Sequence, residues 1–571
     1  MNKCPLLALS LTLLSIFPSV QASAADQPVP KIPMGMNLSS INDWTSGFPF
    51  KNLMWSARSW QTRNAEGGGP FSTELGKFLS LDENGYPLEI PFTPEGEPEQ
   101  VVFTIFNNLT EPGLYVLLYD GEGEIGPAMS TKIVESEPGR VVMELKGGSF
   151  DAGYEGFTIL KSTKGNHVRN IRILKLEDEN ADLAANPFRD DFLEYCRQWH
   201  VLRFMDWQAT NNSLEDKWED RKLPTFYTMV GSNGDAIGRS GKPASEYQRL
   251  FSGGVALEII IQLANMTKTN PWFCVPHRAT LDYMENMAKL IHEKLDPSLT
   301  AYIEYSNEVW NWQFEQAHWM LQSKIAAEPL ASEKNNGWKD GIPPEEFPLD
   351  NGTVARDGGA DHPERMAVLI RRCFEPFEKV FSGDSRKRLV RVIGVQQSWP
   401  DTVRRTTRWV MQNGGADAVS PAGYFGPDND IYARWAEAGE SLTVEDVIND
   451  MNQVLANKVP QLISEVAAIA REYNLRYIVY EGGQHIQPKN QQETPYMPAL
   501  KATQFSEALY GCYMENFRLH ADAGCDLFAA FSSFSQQGTR WGSWGHQEFI
   551  GQPRSEIPKY GALLDTNTPK P

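Results

Sequence analysis

Two textures within one chain predict a (β/α)8 barrel carrying a β-sandwich. From about residue 188 onward, strand-like apolar runs alternate with amphipathic helical patterns; together with a short run at 33–39 they number eight. Between the first and second of these runs, residues from about 85 to 178 read as all-β. Eight strands with intervening helices argue for a closed barrel rather than an open nucleotide-binding sheet.

The elements follow in order. KIPMGMNLSSI (31–41) is a short apolar strand ending in polar residues, and Gly67-Gly68-Gly69-Pro70 interrupts what comes next. QVVFTIFNN, GLYVLLYDG, GRVVMELKGG, GFTILKS and NIRILKLE are short alternating runs, parted by turn residues at sandwich-like spacing. WHVLRFMDW (199–207) is the second barrel strand, followed by the amphipathic GGVALEIIIQLAN (253–265). WFCVPH (272–277) leads to a helix over 280–295, and TAYIEYSNEVWN (300–311) to one over 312–327. A polar stretch at 328–361 precedes a helix over 363–381. RLVRVIGVQQ (388–397), ADAVSPAGYF (416–425) and LRYIVYEGGQH (475–485) precede helices over 401–413, 444–473 and 500–521, and CDLFAAFSSF (525–534) is last. The expected organisation is a signal peptide at 1–24, a first barrel strand within 25–48, a carbohydrate-binding-module-like sandwich over 50–180 and a barrel over 188–571.

Composition limits what such a chain does. Its 571 residues are 41% hydrophobic and 22% charged, a globular balance. With 53 Lys and Arg against 73 Asp and Glu, the formal charge is −20. That opposes nucleic acid and anionic membrane surfaces as partners, since both require basic footprints. Sixteen Trp, 19 Tyr and 28 Phe supply aromatic surface for stacking on neutral ligands. Lys3, the apolar run 6–17 and Ala22-Ser23-Ala24 form a cleavable leader, too short to span a bilayer, so a secreted or periplasmic protein is expected. Cys196, Cys274, Cys373, Cys512 and Cys525 remain after cleavage; an odd, sparse set without CxxC reads as small buried residues, with room for one disulfide.

Metal and cofactor signals fail on context. Gly121-Glu122-Gly123-Glu124-Ile125-Gly126 matches GxGxxG, but Pro127 follows where a helix is needed, and two glutamates would repel a pyrophosphate. His292-Glu293 has Asp296 where a metalloprotease helix needs its second histidine, and the nine histidines show no zinc-ligand spacing. No cofactor and no metal are expected.

In a (β/α)8 enzyme, reactive groups sit at the C-terminal ends of the strands. Strand two ends at Arg203 and Asp206, strand three at His277, and strand four at Asn307-Glu308. Strand six ends at Tyr424 and strand seven at Glu481, while Trp541 and Trp544 follow strand eight. Carboxylates terminating apolar strands are costly unless they face a polar cleft. Two of them facing each other across one mouth are what glycoside hydrolysis needs, one as proton donor and one as the ionised partner. Glu304, four residues before Glu308, points the same way along the strand and reads as a deeper polar partner.

Asn307-Glu308 within YIEYSNEVWN, with Glu481 ending strand seven, resembles the signature of the clan A glycoside hydrolases, which include cellulases, mannanases and xylanases. The resemblance covers about 380 residues (33–41 and 190–560) and assigns no single family. It implies that Glu308 is the acid/base and Glu481 the nucleophile. It also implies that Arg203 and Tyr424 contact the nucleophile, that Asn307, Asp206 and His277 line the substrate site, and that Trp541 lies under the sugar. The expected activity is retaining, endo-acting hydrolysis of a β-linked polysaccharide, β-glucan-like, with that polysaccharide as the partner. The alternative is a non-catalytic carbohydrate-binding protein on the same scaffold; a retired enzyme usually loses one carboxylate, and both are present here.

Overall fold

The computed structural model describes residues 29–106, 111–147, 153–231, 253–323, 325–326, 329–330 and 361–570. The expected leader at 1–24 and most of the stretch 328–361 lie outside them. With strands numbered in chain order, β1 (Met34–Asn37) is followed by eight antiparallel strands. These are β2 (Gln61–Asn64), β3 (Gln100–Phe106), β4 (Gly113–Asp120), β5 (Gly123–Met129), β6 (Lys132–Glu137), β7 (Arg140–Leu145), β8 (Glu155–Ser162) and β9 (Arg169–Lys175). Parallel strands then resume as β10 (Val201–Arg203), β11 (Asn270–Val275), β12 (Ala301–Tyr305), β13 (Leu389–Val395), β14 (Ala418–Phe425), β15 (Arg476–Val479), β16 (Glu481–Gln484) and β17 (Cys525–Phe531).

The parallel strands close on themselves. β1 pairs with β10, Asn37 opposite Arg203, and on its other side with β17, Asn37 opposite Phe531. β10 to β14 follow in chain order, and β15 with β16 forms one strand broken at Tyr480, between β14 and β17. That is an eight-stranded parallel barrel, wrapped by helices. Its strands are buried along almost their whole length, as enclosure on both faces requires. The run at 33–39 thus joins the same barrel as 199–207.

The antiparallel strands make two four-stranded sheets, ordered β2-β3-β8-β5 and β6-β7-β4-β9. Val102 and Phe157 of the first sheet share one apolar cluster with Leu117, Val141 and Ile173 of the second. The chain enters and leaves this region through a narrow neck. Phe50 bridges Phe188, Lys51 N donates to Pro187 O at 2.9 Å, and Arg189 N donates to Pro49 O at 2.9 Å.

Several elements depart from the sequence reading. β2, β5 and β6 are additional strands, and helices at Asp190–Arg197, Asn429–Ala438 and Pro558–Thr566 are additional helices. The helix expected over 444–473 is two, Val444–Asn457 and Val459–Glu472. Pro460 stands in the first turn of the second, where a missing N–H costs nothing. The helix expected over 500–521 is also two, Met497–Gln504 and Glu507–Asp522, with Ser506 capping the second by accepting from Ala508 N. All five cysteines are buried and free, with no disulfide among them. Among the described residues, no helix is long and apolar enough to cross a membrane.

Candidate active site

The register of β1, β10 and β17 puts Asn37, Arg203 and Phe531 in one layer at the barrel's C-terminal end. Arg203 is the hub of that layer and is fully buried. Its Nε donates to Glu304 Oε2 at 3.0 Å, and its Nη1 donates to Asn37 Oδ1 at 3.0 Å and to Glu481 Oε2 at 3.2 Å. Its Nη2 donates to Asn307 Oδ1 at 2.8 Å. The planar guanidinium offers five N–H donors in a fixed fork, so one side chain orients residues from strands one, four and seven together. It does not pair with Asp206, the structural salt bridge that strand two's sequence also allowed.

Glu481 receives a second bond, from Tyr424 Oη to Oε1 at 3.1 Å. Gly482 follows because the strands close in here: a Cβ on it would lie 2.6 Å from the Phe528 ring and 2.7 Å from Gly423 O. Glu308 faces this group from strand four. Tyr480, the residue before Glu481, donates to Glu308 Oε1 at 2.9 Å, and Asn311 Nδ2 donates to Oε2 at 2.8 Å. The backbone at Ser306 (φ 53°) and Glu308 (φ 42°) lies in the left-handed region, which non-glycine residues seldom adopt, so the turn holding Glu308 carries strain. Asn307 between them gives one amide proton to Asn211 Oδ1 at 3.0 Å, and Gln316 braces both asparagines.

Charge is crowded here. Burial, and after it the Glu308 charge, pushes the Glu481 carboxyl up to about 8, against the pull of Arg203 and Tyr424. Burial likewise raises Glu304, opposed by Arg203, and raises Asp206 to about 6. The ion pair to Arg203 favours the ionised form of Glu481.

The remaining candidates separate. Asp206 is half-buried on a cavity beside the network. His277 is buried with neither ring nitrogen hydrogen-bonded, packs edge-on against Trp319, and is held neutral by burial, its pKa lowered to about 3. Trp541 is 56% exposed, with Arg540 over its ring, and its carbonyl accepts from Trp544 Nε1 at 2.7 Å. It is Trp544 that packs against Tyr424, at 5.9 Å between ring centroids, and against Phe531 at 5.7 Å. Sequence reasoning did not select Asn37, Tyr480 or Phe531. The rule applied to strands four and seven, a polar residue ending an apolar strand, would have found Asn37. Among the described residues, no group of three or more His, Cys, Asp or Glu is placed to hold a metal ion.

The fold is a closed eight-stranded parallel barrel, with glutamates at the ends of its fourth and seventh strands. No family model matches the chain, and no curated protein does. Solved structures similar to it include a family 51 α-L-arabinofuranosidase from Bifidobacterium longum, at 12% identity and a TM-score of 0.36, over 66% of this chain and 68% of that one. A GH5-4 broad specificity endoglucanase from an uncultured bacterium is 9% identical, with a TM-score of 0.32, over 66% and 83% of the two chains. An endo-β-1,4-glucanase from Xanthomonas axonopodis pv. citri is 9% identical, with a TM-score of 0.29, over 67% and 93%. These likenesses are remote, and what the site does is read from its own residues.

Proposed function

We propose that the chain is a secreted glycoside hydrolase that cleaves a neutral, β-linked polysaccharide with retention, acting within the chain, a β-glucan being the first substrate to try. One observation carries this reading: two glutamates end strands four and seven over one mouth, and only Glu481 is held by both a buried arginine and a tyrosine. In the first step, Glu481 attacks the anomeric carbon while Glu308 gives its proton to the departing oxygen. Glu308 then takes a proton from the water that hydrolyses the glycosyl-enzyme. Asn307 has one amide proton bound to Asn211, and its second is proposed to meet the sugar 2-hydroxyl. Arg203 and Tyr424 oppose burial by stabilising the charged form of Glu481.

The assignment extends to organisation. Residues 1–24 are proposed as the signal peptide, 50–180 as a β-sandwich inserted after the first strand, and 188–571 as the rest of the barrel. The shared apolar cluster of the two sheets and the neck at Phe50 and Phe188 support the insertion. The test is release of reducing ends from a panel of glucans, mannans and xylans, with Glu481→Ala as control. Release from one class that disappears in Glu481→Ala is expected. Binding without release from any member would return the reading to a non-catalytic carbohydrate-binding protein.

A further inference from the structure

A cavity of about 470 Å³ opens next to the carboxylate network, among the loops after β1 and β10 and the segment leading into the sheets. Four pieces of chain wall it: Asp43 and Trp44 from the loop after β1, Asp206 and Asn211 from the loop after β10, Arg58 from the segment leading into the sheets, and Thr228 with its neighbours up to Gly231. It communicates with the dyad through Asn211, which accepts from Asn307 at 3.0 Å, and through Asp206, whose charge acts on Glu481. Its volume lies within the range of small-ligand pockets.

The walls are built rather than incidental. Arg58 Nε donates to Asp43 Oδ2 at 3.1 Å, and the Asp43 side chain is fully buried while its Oδ1 has no hydrogen-bond partner. The Arg58 guanidinium also lies 5.6 Å over the ring of Tyr154, which precedes β8 and is 46% exposed. At the rim, Trp44 is 60% exposed, its backbone fixed by Trp44 N donating to Asn42 Oδ1 at 3.1 Å. A broad aromatic face beside fixed polar groups suits a pyranose ring, which presents C–H faces and a belt of hydroxyls. Two carboxylates stand in this cavity against one arginine, so it offers no excess positive charge to attract a uronic acid.

We infer that this cavity is a sugar subsite adjoining the dyad, that the segment leading into the sheets supplies one wall of it through Arg58, which Tyr154 backs, and that it takes a neutral sugar unit of the bound chain. The inference rests on the glycosidase reading above. It makes the segment leading into the inserted sheets part of the substrate site.

The experiment measures kcat/KM of the full chain on cello-, manno- and xylo-oligosaccharides of increasing length, with oligogalacturonates as the charged series. On whichever neutral series the parent cleaves, Trp44→Ala is expected to lose about tenfold or more on the long members. The loss should shrink as the oligosaccharide becomes too short to reach the cavity. Arg58→Gln should follow the same pattern, and Tyr154→Ala a weaker one. Arg58→Gln leaves Asp43 buried without its partner, so thermal melting accompanies it; Trp44 is exposed, and its removal keeps the fold and decides the matter. A loss in Trp44→Ala that is absent or the same at every length overturns the subsite while leaving the glycosidase reading intact. Faster parent turnover of the charged series overturns the neutral assignment. A parent that cleaves no series overturns the glycosidase reading and the subsite with it.

Discussion

The core between the two antiparallel sheets is built from Val102, Phe106, Leu117, Val141, Phe157, Ile159 and Ile173, all fully buried and all apolar. The upper layer of the barrel is buried nearly as deeply, yet it holds Arg203, Glu304, Asn37, Asn307 and Glu481. The first region gains stability with each apolar area removed from water, about 25 cal/mol per Å². The second takes charges out of water at a cost of several kcal/mol per ion, recovered only through dense hydrogen bonding. On the proposed reading that layer is kept for chemistry, and the difference between the two regions can be tested residue by residue.

The largest effect is expected for Glu481→Ala, with turnover falling on the order of 10⁴-fold or more. Added azide should restore part of it and yield a glycosyl azide, because a small anion can fill the place of the missing carboxylate. Glu308→Ala comes next. It should slow substrates with poor leaving groups by about 10²–10⁴-fold and activated aryl glycosides far less. Equal losses on both would reject Glu308 as the acid.

A matched pair then sets the two regions side by side. Arg203→Met leaves Glu304 and Glu481 without their cation and should cost about 3–5 kcal/mol of folding stability. Phe157→Ala in the sheets should cost a similar amount, about 3–5 kcal/mol, by opening a cavity. Measured well below their melting temperatures on a short soluble substrate, Phe157→Ala should keep the parent kcat while Arg203→Met does not. Comparable kcat losses in both would erase the distinction drawn here.

The smallest effects concern pH. Tyr424→Phe removes a bond that favours ionised Glu481, so its carboxyl should rise and the acid limb of kcat/KM should move to higher pH, with about a tenfold loss of rate. An acid limb that stays where the parent has it would show that Tyr424 does not tune that carboxyl.

How much of this was legible before any coordinates depended on how buried each element is. All eight barrel strands could be read because they are enclosed on both faces and appear as dense apolar runs. β6, KIVESE, could not, since it is exposed along almost its entire length and shows no alternation. β5 could not either, because Gly123, Gly126 and Pro127 read as a turn; Pro127 is tolerated where it lies, on the edge strand of its sheet. In the site, residues that end strands were readable by position, whereas Tyr480 was not. It directly precedes Glu481, and strand alternation would send its side chain to the opposite face, yet the break between β15 and β16 lets its hydroxyl reach Glu308. Asn211 and Gln316 sit beyond strand ends, where no periodicity announces a role.

The stereochemistry of the first product bears most directly on whether Glu481 is a nucleophile. Proton NMR of the earliest anomer released from a β-linked oligosaccharide, recorded before mutarotation mixes the forms, gives the answer. Attack by Glu481 from the α face, followed by water from the β face that the leaving group vacated, predicts the β anomer first. An α anomer appearing first would mean that water attacks directly, and would contradict the assignment of Glu481 and the double-displacement mechanism together.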